Sequence, residues 1–148
     1  EEGPGPDGQS RFFHVLAGRA VLRIDRRTLA DYDLRILGYE ARLAKNRRAE
    51  PFRTFKYFQY LALLYSEVFL DRLTADPKAF LLELNAFRAS KADFIDIPAF
   101  EPDDLRRLAF FMATGSGKTL LLHVNVLQLL HYLKSGRHPD ALVGGRNG

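Results

Sequence analysis

A chain of 148 residues, 47% apolar and 27% charged, has about one domain's worth of globular material. It contains no cysteine, which excludes a disulfide framework and a thiolate zinc site and suits a reducing, cytoplasmic setting. No apolar run approaches the length of a membrane span, and a net charge of +4 with a pI near 9.5 permits nucleic-acid contact without demanding it.

Residues 1–10 (EEGPGPDGQS) are glycine, proline and acid with nothing to bury, and read as a disordered tail. Phe12 to Leu16 and Ala20 to Ile24 are short β-compatible runs around Ala17-Gly18-Arg19, a spacing that suits a hairpin. From Thr28 the period changes. Leu29, Tyr32, Ile36, Tyr39 and Leu43 fall three and four apart, which is one face of a helix, and Thr28 with Asp31 supplies a start signal. Arg35, Arg42, Lys45, Arg47, Arg48, Arg53 and Lys56 form the best candidate for phosphate-backbone contact, weighed against a solvated charged face.

Pro51 marks a break, and Phe52 to Leu73 reads as a second amphipathic helix with Phe55, Phe58, Leu61, Leu64 and Val68 on its apolar side. Asp76 caps a third helix with Pro77 at its first position. Phe94 to Ile97 suits a short strand ended by Pro98, and Asp103 and Asp104 read as a solvated turn.

The most informative stretch follows. The apolar run Leu108-Ala109-Phe110-Phe111 leads into Met112-Ala113-Thr114-Gly115-Ser116-Gly117-Lys118-Thr119, which opens a long apolar segment from Leu120 to Leu133. Strand, glycine-bearing turn, Lys-Thr and helix is the layout of a phosphate-binding loop. Gly115 and Gly117 let the chain wrap a phosphate with no Cβ in the way. Backbone N–H groups at the helix start then face the anion, Lys118 reaches the β- and γ-phosphates, and the Thr119 hydroxyl ligates Mg²⁺. The expected fold is α/β, an incomplete P-loop NTPase domain at residues 105–148 preceded by a mainly helical region at 11–104. Both ends look cut, so the chain is expected to be a piece of a longer protein.

The run Ala113 to Thr119 resembles motif I of the superfamily-two helicases and translocases. With Met112 before it, the string is most similar to the motor subunits of type I and type III restriction enzymes and their DEAD/DEAH-box relatives. The resemblance implies a RecA-like domain, ATP and Mg²⁺ as cofactors, Lys118 as the catalytic lysine, and double-stranded DNA as partner, with methyltransferase or nuclease subunits alongside. Phe58-Gln59-Tyr60 is similar to the aromatic-Gln start of the first helix in such motors, which implies that Gln59 reads the adenine edge. An insertion at Thr74 to Asp104 would account for its distance from Lys118. The only acid after Thr119 is Asp140, with no apolar strand before it, so motif II is absent and negligible turnover is expected of this piece alone. Two other readings remain: a P-loop kinase of a small acceptor, and a helical nucleic-acid-recognition module with a non-catalytic nucleotide site.

Overall fold

The computed structural model describes residues 4–18, 24–46 and 54–143. Among these, the regular elements are all helical: α1 (Arg11–Ala17), α2 (Arg26–Asn46), α3 (Tyr57–Ala75), α4 (Pro77–Ala89), α5 (Lys118–Ser135) and α6 (Asp140–Val143), with 3₁₀ turns at Ala92–Phe94 and Pro102–Arg106. The chain divides into two compact units, one within Glu1–Glu67 and Ala113–Asn125, the other within Val68–Met112 and Val126–Gly148.

The first unit is built around a carboxylate. Leu29, Tyr32, Asp33 and Ile36 are the buried stripe of α2, and each apolar member contributes about 1.5–3 kcal/mol by leaving water. Asp33 is wholly buried and is satisfied from two other segments. It accepts the Ser10 backbone N–H at 2.7 Å, the Ser10 hydroxyl, and the Tyr60 hydroxyl. Ser10 Oγ in turn accepts the Phe13 N–H at 3.0 Å, capping α1. Burial first, then the hydrogen bond to Asp33 and the Asp33 charge, push the Tyr60 phenol well above its ordinary value, so it stays a donor. Arg35 pairs with the buried Glu67 at 3.0 Å and lies over the Tyr32 ring. That arginine is therefore spent inside the fold, while Arg42, Lys45 and Lys56 are exposed.

In the second unit Leu73, Phe80 and Leu105 form the core, backed by Phe69, Leu81, Leu84, Ala141 and Leu142. Asp76 caps α4 by accepting the Ala79 N–H at 3.0 Å, with Pro77 at its first position. Asn85 clasps the Phe100 backbone at both N–H and C=O, at 2.7 and 2.9 Å. Asp104 accepts the Glu101 N–H at 2.8 Å, so the paired acids serve a turn.

The expected α/β, RecA-like fold is overturned, because no strand occurs among the described residues. The three strand expectations fail for separate reasons. Phe12 to Leu16 lies in α1, where the Ser10 cap and the packing of Phe13 and Leu16 override β-propensity. The partner run of that hairpin lies largely outside the described residues, as do Arg47, Arg48 and Arg53 of the basic cluster. Phe94 to Ile97 closes as a turn, with the Ile97 N–H on the Phe94 carbonyl at 3.1 Å. Leu108 to Phe111 is irregular and exposed, Phe111 completely so. A strand is held by backbone bonds to a neighbour, and the described chain offers none here.

Candidate nucleotide-phosphate site

The glycine-bearing turn sits directly at the start of α5. The Ser116 N–H reaches back to the Ala113 carbonyl at 3.3 Å, closing a tight turn. Gly115 and Gly117 then take φ of +77° and +87°, values that L side chains rarely adopt. The Leu121 N–H bonds the Gly117 carbonyl at 3.1 Å, making that carbonyl the first acceptor of the helix. The first-turn N–H groups lie at the positive end of the helix dipole.

Ala113, Thr114, Gly115, Lys118 and Thr119 are exposed, and Ser116 and Gly117 are partly covered. A Cβ on Gly115 would meet nothing within 4 Å. The Ser116 hydroxyl oxygen is buried with no hydrogen-bond partner in the protein. An open glycine-bearing turn with an orphaned hydroxyl and a fresh helix start fits an anionic group. The fit extends to Mg²⁺, which keeps several waters and takes only one or two protein oxygens when it rides on phosphates. Thr119 would be one of them. Among the described residues no cluster of three or more His, Asp or Glu forms a metal cage of its own.

The turn is fastened from α3. Gln59, 7% exposed, donates from Nε2 to the Ser116 carbonyl at 2.8 Å and accepts the Lys56 N–H on Oε1 at 2.9 Å. One N–H and one lone pair of its amide remain for any further partner. A Cβ on Gly117 would come within 2.6 Å of Gln59 Nε2, so a side chain there would have to push the amide off its bond to the Ser116 carbonyl. Seven residues further along the same face, the Ser66 hydroxyl takes the Asn125 amide at 3.0 Å. Leu121 and Val124 are buried between these two fastenings.

The motor resemblance implies that Gln59 reads the adenine edge beside the Ala113–Thr119 turn; in the fold its Nε2 bonds the Ser116 carbonyl of that turn. Asp140 opens α6 in the other unit. Asp33 and Ser10 were missed, although Ser10 three residues before Phe13 is an N-cap pattern. Comparison with known proteins adds no relative: no protein-family model, no curated protein and no solved structure matches the chain.

Proposed function

We propose that this chain grips the phosphates of ATP through its glycine-bearing turn, as the nucleotide-holding part of an ATP-dependent DNA helicase or translocase of the restriction-motor kind. The observation that carries it is the turn itself: two positive-φ glycines deliver an exposed Lys118 and Thr119 at the first two positions of α5. Bound ATP with Mg²⁺ would supply an activated phosphoryl group. Lys118 neutralises the terminal phosphates, Thr119 offers an oxygen to the metal, and the first-turn N–H groups hold the remaining charge. Gln59 keeps the turn in place through the Ser116 carbonyl. The exposed Arg42, Lys45 and Lys56 are the residues offered to a DNA backbone.

A fluorescent-ATP titration tests this. The wild-type chain should bind saturably with Mg²⁺, and Lys118→Ala should abolish binding with its far-UV circular dichroism unchanged. Undiminished affinity in that variant overturns the assignment.

The helical architecture favours a second reading, a recognition module in which the nucleotide is bound and never hydrolysed. Nucleotide binding with no phosphate release, even with DNA and the protein's natural partners present, would select it.

A further inference from the structure

The first unit holds a second concavity, and no residue of the glycine-bearing turn lines it. It measures about 130 Å³, and its walls include Arg11 and Phe12 of α1, Leu37 and Glu40 of α2, Phe55 just before α3, and Tyr60. These walls are fixed before any ligand arrives. Phe12 stacks obliquely on Tyr60 with ring centroids 4.9 Å apart and on Tyr57 at 5.4 Å. Tyr60 is pinned through its hydroxyl to the buried Asp33. Glu40 is pinned as well, because its Oε1 accepts the Phe55 N–H at 2.9 Å. That bond occupies one carboxyl oxygen of a side chain that lines the cavity.

Size and chemistry limit the occupant. An apolar cavity of about 150 Å³ holds one benzene ring, so this one suits a single flat ring. Aromatic and aliphatic walls favour the faces of such a ring. A carboxylate at the rim calls for N–H donors on its edge, since an acceptor there would leave Glu40 opposed by a like lone pair.

We propose that this cavity binds a single-ring amino-heteroaromatic, of the aminopyridine or aminopyrimidine class, with the ring among Phe12, Leu37 and Phe55 and its N–H groups on the Glu40 carboxyl. The proposal does not depend on the phosphate site.

The test is an NMR titration of the whole chain with 2-aminopyridine, with pyridine in parallel, following the signals of Phe12, Leu37, Phe55 and Tyr60. Saturable shifts are expected with 2-aminopyridine, and pyridine, which keeps the ring and lacks the N–H donors, should bind at least tenfold more weakly. Glu40→Gln keeps an acceptor for the Phe55 N–H and should weaken 2-aminopyridine about tenfold. Leu37→Phe should fill the cavity and abolish the shifts with helical content retained. Lys118→Ala should bind the ring as the wild type does, which separates this site from the nucleotide one. The proposal is overturned by absence of saturable shifts, by equal binding of pyridine, or by wild-type affinity in a folded Leu37→Phe. If Leu37→Phe loses helical content, unchanged affinity in Glu40→Gln overturns it instead.

Discussion

The side-chain amide of Gln59 donates to the main-chain carbonyl of Ser116 at 2.8 Å, joining positions 57 apart in the chain. This bond holds the glycine-bearing turn against α3. Gln59→Ala removes it and strands the Lys56 N–H, which should cost about 1–3 kcal/mol of stability and weaken ATP about tenfold. Urea denaturation and the fluorescent-ATP titration measure both. Unchanged values in the two assays would show that the turn stands without its fastening.

The two glycines of the turn should respond differently to a methyl group. At Gly115 alanine meets open space and pays only for its positive φ, roughly 1–2 kcal/mol. At Gly117 the same strain is joined by the collision with Gln59 Nε2, so Gly117→Ala should be the more damaging to nucleotide affinity. Side-by-side titrations decide it, and a larger loss at Gly115 would reverse the argument.

Asp33 is the strongest stability prediction. Alanine there leaves the Ser10 N–H, the Ser10 hydroxyl and the Tyr60 hydroxyl without their buried acceptor, a loss of about 3–5 kcal/mol. Urea midpoints measure it, and a change under about 1 kcal/mol would contradict the role given to Asp33.

Glu40 makes stability depend on pH. Burial raises its carboxyl above the ordinary value of 4.5, partly opposed by the Phe55 N–H and reinforced by the Asp33 charge. The folded chain thus holds the proton more tightly than the unfolded one. Its contribution is full below the unfolded pKa and is lost as pH rises through the folded value. Glu40→Gln cannot lose that proton, so its stability relative to wild type should climb as pH rises above 4.5 and then level off. Urea midpoints across that range check it; parallel curves would refute it.

In the second unit Gly136 follows α5 with its N–H on the Tyr132 carbonyl at 2.8 Å. A Cβ there would lie 2.6 Å from both that carbonyl oxygen and Thr74 Cβ. Backbone cannot swing aside as a side-chain tip can, so Gly136→Ala should cost about 1–3 kcal/mol. A thermal melt unchanged from wild type would contradict the close approach.

The longer helices were legible because periodicity and caps agree. Leu29, Tyr32 and Ile36 repeat on one face of α2, and Asp76-Pro77 marks the start of α4. α2 begins at Arg26, ahead of the Thr28 start signal, and Asp25 accepts both the Thr28 N–H and its hydroxyl at 3.0 and 2.6 Å. The strands were misread because a short apolar run is ambiguous by itself. Phe12 to Leu16 became helix once Ser10 capped it, and Leu108 to Phe111 found nothing to pair with. In the candidate site, glycine spacing marks the turn, whereas Gln59 is singled out only by the resemblance of Phe58-Gln59-Tyr60 to the motor family. The Asp33 cluster was hidden, because its members come from three separate segments.

The bare Leu108–Phe111 stretch also offers a place to divide the chain. Chymotrypsin prefers aromatic residues in extended, accessible backbone, so a brief digest should nick after Phe110 or Phe111 before any helix is cut. Asn125 still binds Ser66 and Leu121 and Val124 stay packed, so the two pieces should co-elute after the nick. A peptide carrying α5 could then be made by synthesis and combined with a recombinant remainder, which would put isotopic or fluorescent labels in the glycine-bearing turn alone.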